Sequence, residues 1–217
     1  MEPKGKFLRR YTNLADAIHI LKSGQLALRD PSRWEDKNDW HFMKTYQKAI
    51  GAKSLWALCF TSSEETYHHW RIYSHGYDGV CFRLKHEEFV KAAKRSLPGL
   101  RAEFMNYKYT KDVKVKRPKA NDWPFLKRAA FAGECEFRLV YAQQQTDKSS
   151  TGAVVPLELE AIDRIILSPW LHKSLIKSLR QTLKDVAQDT ELAVYQSKLI
   201  DYKPWQTVVD DDVDALA

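Results

Sequence analysis

The chain has 217 residues, 35 of them Lys or Arg and 28 Asp or Glu, for a formal charge of +7, and 44% are hydrophobic. At roughly 100–200 residues per domain this is one domain, large enough to build a core without disulfide or metal staples. Its 12% aromatic content with only 8 Gly and 8 Pro excludes a disordered, collagen-like or low-complexity chain, and no run approaches the ~18 apolar residues of a membrane helix.

Residues 7–11 read as a short strand. A helix follows to Leu21, capped by Thr12 or Asn13, because Leu14, Ala17, Ile18 and Leu21 recur at helical spacing and Gly24 stops it. A strand at 25–28 leads into a polar loop, 31–41, bearing Trp34 and Trp40, and then into an amphipathic helix to about Ile50. A buried strand at 54–60 breaks at Thr61-Ser62-Ser63. A helix carrying His69, Trp70 and Tyr73 comes next, then a glycine-flanked turn at 76–79 and a strand at 80–84. Residues 86–95 read as helix, 101–109 as extended and alternating, 123–131 as a short helix, and 134–141 as a strand. A polar loop, 143–152, joins this to strands at 153–159 and 162–167. The most regular helix spans 171–186, with Leu171, Leu175, Leu179 and Leu183 four apart, and a last strand covers 192–195. Strands outnumber helices, so the expected class is α+β: a single domain over 1–208, with a mixed, largely antiparallel sheet and flanking helices. The acidic tail, 209–217, is expected to be disordered.

The opening MEPKGKFLRR carries charge with no apolar region behind it, which implies a cytoplasmic protein with no membrane partner. Cys59, Cys81 and Cys135 are odd in number, lack CxxC spacing and lie in apolar, strand-like runs, so all three read as reduced core residues. His68 and His69 are adjacent and have no Cys or His partners at finger spacing, so no metal site is expected.

Charge is concentrated. Between Lys85 and Arg128 stand thirteen basic and five acidic residues, a net charge of +8, more than the excess of the whole chain. A Lys-rich solvated face accounts for such a run. So does a polyanion-binding segment in which Lys114, Lys116, Arg117 and Lys119 neutralise phosphates while Trp123, with Tyr107, Tyr109 and Phe125, stacks on bases.

Three clusters carry potential chemistry: Arg9-Arg10-Tyr11-Thr12 at the end of the first strand, Cys59-Phe60-Thr61-Ser62-Ser63 at the end of a buried one, and Glu134-Cys135-Glu136-Phe137-Arg138. In a strand, Glu134 and Glu136 share a face, where like charges raise one another's pKa. The alternative is a solvent-facing edge pair balanced by Arg138.

Arg, then an aromatic-Thr-Ser run, then Glu-x-Glu, in that order over about 130 residues, resembles the arrangement of mono-ADP-ribosyltransferases. The opening, Tyr11-Thr12-Asn13-Leu14 through Ile20-Leu21 and Gly24-Gln25-Leu26, is similar to the entrance of DarT-like and RNA phosphotransferase members. Nearly the whole chain also resembles a widespread bacterial domain family of undetermined function, through Trp34-Glu35-Asp36, Cys59-Phe60-Thr61, Trp70-Arg71-Ile72-Tyr73, Gly79-Val80-Cys81 and the Glu134–Arg138 motif.

The transferase resemblance implies an ADP-ribosyltransferase-like fold and NAD as substrate. Loss of nicotinamide develops positive charge on the ribose, much as in glycoside hydrolysis. It implies that Glu136 stabilises that charge, that Glu134 orients or deprotonates the nucleophile, and that Arg10 binds the NAD phosphate or ribose. Arg9, Arg10 and Tyr11 all remain candidates for the first position. Thr61 and Ser62 would hold the sugar or support Glu136, and Trp70 or Tyr73 would stack on nicotinamide. The basic segment points to a nucleic-acid acceptor with an unpaired base, RNA favoured over DNA. The resemblance further implies a toxin or phage-defence effector with a neutralising antitoxin. Two other readings stand beside it: a non-catalytic basic RNA- or DNA-binding module, and a metal-dependent nuclease using Glu35, Asp36, Asp39 and His41.

Overall fold

The computed structural model describes residues 5–74, 76–144 and 152–208. The acidic tail, 209–217, and the 145–151 part of the polar loop lie outside the described residues. The rest forms one α+β domain around a seven-stranded sheet ordered β11-β10-β4-β1-β3-β8-β5. Only the β10–β11 pair in this sheet is parallel, as the largely antiparallel expectation required.

Strand β1 (Phe7–Asn13) alternates two kinds of side chain. Leu8 joins Val80, Phe82 and Leu84 of β4 (Gly79–Lys85), Leu58 and Phe60 of β3 (Ser54–Thr61), and Phe137 and Leu139 of β8 (Glu136–Gln143) on one apolar face. Helices α1 (Leu14–Ser23), α4 (His86–Ser96) and α6 (Lys173–Ala187) cover that face together with the hairpin of β2 (Gln25–Leu28) and β9 (Ala153–Pro156). Each Leu or Phe sealed there is worth about 2–5 kcal/mol against Ala. Asn13 caps α1 by accepting from Asp16 N–H, and Gly24 ends it in the left-handed region at φ 63°.

The opposite face is divided. Helix α2 (Lys37–Ala49) seals Met43 and Tyr46 onto Leu55, Ala57 and Val140 at one end, and α3 (Tyr67–Tyr73) seals Trp70 onto Tyr11, Cys81 and Ile166 at the other. Between these apolar patches runs a strip of buried polar side chains: Arg9, Thr61, Glu136 and Arg138.

The sheet is completed by β10 (Ile162–Leu167), β11 (Val194–Gln196) and β5 (Arg101–Phe104). Several local expectations are corrected. Residues 101–109 are two strands, β5 and β6 (Asn106–Lys108), parted at Met105, whose N–H bonds the Glu136 carbonyl at 2.9 Å. The expected 123–131 helix is instead two 3₁₀ turns, Ala120–Phe125 and Ala129–Glu134, flanking the short strand β7 (Leu126–Arg128), which pairs in parallel with β6. Pro124, with no N–H to give, sits inside the first turn. Helix α5 (Thr110–Val115) holds Lys114, and Lys116, Arg117 and Lys119 follow it. Cys135 is exposed rather than in the core, and Cys59 is only half-buried. No described helix is long and apolar enough to cross a membrane.

Candidate active site

Register decides which arginine of the first motif belongs to the site. Arg9 lies opposite Thr61, and Thr61 lies opposite Glu136, so the three motifs form one row across β1, β3 and β8. Arg10 points through the sheet to the other face, where its guanidinium donates to the Cys59 carbonyl at 3.1 Å. Burial there, with Arg29 nearby and Cys59 and Asp16 opposing, lowers its pKa. Of the candidates for the first position, Arg9 lies in the row with Thr61 and Glu136, and Arg10, expected to bind the NAD phosphate or ribose, lies on the opposite face of the sheet. The Arg9 guanidinium is buried and donates to the Ser63 carbonyl at 2.6 Å.

Glu134 and Glu136 do not share a strand face by alternation. Glu134 ends a 3₁₀ turn, Cys135 turns the chain in the left-handed region (φ 46°, ψ 44°), and Glu136 begins β8. Both carboxylates nevertheless reach one ammonium: Lys127 Nζ is 2.5 Å from Glu134 Oε2 and 3.1 Å from Glu136 Oε2. A non-glycine residue in that region costs about 1–2 kcal/mol, so the turn must be held from outside.

The Thr-Ser run does the holding. Thr61 Oγ1 donates to the Glu134 carbonyl at 2.7 Å, and Ser62 donates to the Cys135 carbonyl through its backbone N–H (2.9 Å) and its hydroxyl (3.0 Å). Ser62 thus supports the backbone between the carboxylates, not the Glu136 side chain as expected. His69 adds a third clamp. The Thr66 hydroxyl donates to Nδ1 at 2.5 Å, which leaves the proton on Nε2, 3.2 Å from the Glu134 carbonyl oxygen. Burial lowers the His69 pKa and keeps the ring neutral.

Behind the pair lies an ion cluster. Arg138, 1% exposed, donates to both oxygens of Glu136 (2.8 and 3.1 Å) and to both oxygens of Asp39 (2.9 and 2.6 Å), while Trp34 stacks on its guanidinium at 4.5 Å. Lys127 also lies 3.5 Å from Asp39. Two cations thus face three carboxylates. Burial works against ionisation of Glu136, but Arg138 and then Lys127 outweigh it and bring its pKa down to about 2. Glu134 is the surplus carboxylate: burial raises its pKa although Lys127 opposes. Burial would lower Lys127, yet Glu136, Glu134 and Asp39 together raise it, so it stays an ammonium.

The edges are built from aromatics. Tyr11 stacks on His69 at 5.7 Å, and His69 meets Tyr73 at 5.9 Å; the Tyr73 hydroxyl reaches the Glu134 carboxylate. On the far side the Tyr107 hydroxyl accepts from Glu136 N–H at 2.8 Å. Tyr73 is partly exposed and can face a ligand. Tyr11 and Trp70 cannot, because both are buried in the core beneath α3, with the Trp70 indole N–H on Glu65 Oε1 at 2.9 Å. The expected stacking role for Trp70 is corrected for that reason.

Lys114, Lys116, Arg117 and Lys119 stand exposed around α5, whereas Trp123 turns inward and donates to the Pro118 carbonyl at 3.3 Å. Two of the three acids of the nuclease reading are otherwise engaged: Asp36 caps α2 and Asp39 binds Arg138. Lys127 and His69 were not among the sequence candidates as site residues, and Asp39 and Tyr107 were named only for other roles, as a metal ligand and a base-stacking ring. Each comes from a segment with no signal of its own, apart from the Asp39 carboxylate in a loop that read as solvated.

Fold and site together define a single α+β domain whose mixed sheet carries a clamped carboxylate pair, a buried arginine row and an aromatic helix flank. No protein-family model matches the chain, and no curated protein sequence matches it significantly. Among solved structures it is similar to Thermus sp. 2.9 DarT in complex with NAD+, at 10% identity and TM-score 0.46 over 91% of this chain and 98% of that one. It is also similar to the same protein in complex with ADP-ribosylated ssDNA (12% identity, TM-score 0.46, 90% and 96% covered) and with carba-NAD+ (13%, 0.44, 90% and 97%). Overlaps at this level carry no residue correspondence, so the chemistry of this chain rests on its own side chains.

Proposed function

We propose that the protein is an NAD-dependent mono-ADP-ribosyltransferase that modifies a nucleic acid, RNA favoured over DNA. The observation that carries this reading is the row Arg9–Thr61–Glu136, in which three motifs spread over about 130 residues meet with Glu134 beside them. Departure of nicotinamide breaks the ribose C1′–N bond and leaves an oxocarbenium-like cation. Glu136, ionised throughout the accessible pH range, supplies the fixed negative field. Glu134, partly exposed and with a raised pKa, accepts the proton as the acceptor's lone pair forms the new bond to C1′. Arg9 anchors a phosphate or the ribose, and the ring of Tyr73, backed by His69, flanks the nicotinamide.

The exposed cations Lys114, Lys116, Arg117 and Lys119 draw in the polyanionic acceptor. An enzyme of this kind harms its host unless restrained, so an acidic antitoxin docking on the same cations, in a toxin or phage-defence system of the cytoplasm, belongs to the proposal. The test is incubation of purified protein with labelled NAD and, separately, total RNA, single-stranded DNA and cell lysate, following label and free nicotinamide. Label on nucleic acid that vanishes in Glu134→Gln supports the reading and names the acceptor. Folded protein that releases no nicotinamide and transfers no label overturns it in favour of a non-catalytic binding module.

A further inference from the structure

Helix α3 has a second flank. His69 and Tyr73 face the Glu134 side, and Trp70 points into the core, but Tyr67 and Arg71, one turn apart, lie against Trp170 from the loop after β10. The Arg71 guanidinium sits 4.1 Å over the Trp170 ring and 5.3 Å from the Tyr67 centroid. Tyr67 and Trp170 meet edge to face at 5.7 Å, and Arg71 Nε donates to the Tyr67 hydroxyl at 3.0 Å.

Three features of this stack point outward. Arg71 is exposed, and among the described residues no carboxylate pairs with it. Tyr67 is 47% exposed, and nearby in the chain Ile72 and Tyr77 are 62% and 74% exposed, a density of large apolar side chains that a solvated helix does not need. Finally, a guanidinium held 4.1 Å over an indole, with only its Nε hydrogen-bonded among the described residues, presents a planar cation whose other N–H groups can reach a ligand. That combination takes a base by stacking and a phosphate by paired hydrogen bonds.

We infer that Tyr67, Arg71 and Trp170 form a stacking platform for an unpaired base of a single-stranded nucleic acid, so that the acceptor strand crosses α3 on its way to Glu134. The inference rests on the reading above for the identity of the acceptor and deepens it by assigning the surface. A duplex does not fit, because its bases are already stacked and their faces are closed.

The experiment measures anisotropy of short fluorescein-labelled single strands, DNA and RNA, and of the matching duplex, against the full chain without NAD. Wild type should prefer single strands. Arg71→Ala and Tyr67→Ala should each weaken binding by about 5- to 100-fold, the range for losing one stacked base. Arg71→Lys should keep the salt dependence but not the affinity. Arg71 and Tyr67 are both exposed, so melting temperatures should stay near wild type. Wild-type binding in the two alanine variants, equal affinity for duplex and single strand, or no oligonucleotide binding by wild type overturns the platform. Because NAD is absent, the two proposals fail separately. Binding that depends on Arg71 without label transfer keeps the platform and removes the transferase; transfer with Arg71-independent binding does the reverse.

Discussion

Glu134 and Glu136 are two residues apart and are driven in opposite directions by their surroundings. Glu136 is held low by Arg138 and Lys127, while Glu134 rides above the usual carboxylate value of 4.5 because burial finds three acids sharing two cations. If Glu134 is the base, the acid limb of the transfer-rate profile lies above pH 4.5, with activity rising as Glu134 deprotonates. Glu134→Gln should abolish that limb together with most turnover, and a limb unchanged in the variant would assign the proton to another group. Asp39 acts one step further back, fixing Arg138, which fixes Glu136. Asp39→Asn weakens two charge-assisted bonds to the buried guanidinium and turns an amide N–H toward it, and should lower stability by about 1.5–3 kcal/mol in urea unfolding, although Asp39 lies on a different element from both glutamates. The carboxylate pair and its Arg138 balance were legible in the sequence, but the parts of Asp39 and Lys127 were not. Asp39 looked like one of several loop acids, and Lys127 like one more charge in a basic run; only the tertiary approach of α2 and β7 to β8 distinguishes them.

At the scale of elements, what alternation and capping announce was readable. The 2-residue period of Val80, Phe82 and Leu84 marks β4, and α1 lies where its apolar spacing put it, with Asn13 rather than Thr12 as the cap and an end at Ser23, two residues past Leu21. What depends on pairing was not. Arg9 and Arg10 are chemically identical neighbours, and only the register of β1 against β3 tells which one faces Thr61. The 120–134 segment misled because its apolar residues are spaced by a 3₁₀ turn, a three-residue strand and another turn, none long enough to show a period. The Glu-x-Glu motif likewise reads as strand, while its middle residue is a left-handed hinge clamped by Thr61, Ser62 and His69. That hinge can be tested cleanly, since Cys135 is exposed and has little packing to lose. Cys135→Val, β-branched in the left-handed region, should cost about 1–2 kcal/mol, and Cys135→Gly close to nothing. Equal losses in chemical denaturation would mean that the thiol, not the backbone, matters there.

Across the whole molecule the sheet separates two tasks: one face is an apolar core under three helices, and the other carries an ion cluster between two apolar patches. Burying that cluster ties global stability to pH in a definite shape. Glu136 has a folded pKa of about 2, below its ordinary 4.5, so its contribution is complete above about 4.5 and is lost as pH falls through 2. The difference corresponds to about 3 kcal/mol. Glu134 has the opposite sign. Its folded pKa is raised, so its ionised form costs stability at neutral pH, and that cost is relieved as pH falls through the folded value toward 4.5. The Glu134 contribution should therefore rise on mild acidification, against the opposite pull of His69, whose lowered pKa removes stability below its ordinary 6.5, and the Glu136 contribution should then drop steeply. Urea midpoints across pH 7 to about 2 in wild type and Glu134→Gln measure this: the variant should lose the rise and keep the drop. Absence of a drop between pH 4.5 and 2 in both proteins would mean that Glu136 is not held by Arg138 and Lys127 in solution, and the fixed anion of the proposed reaction would go with it.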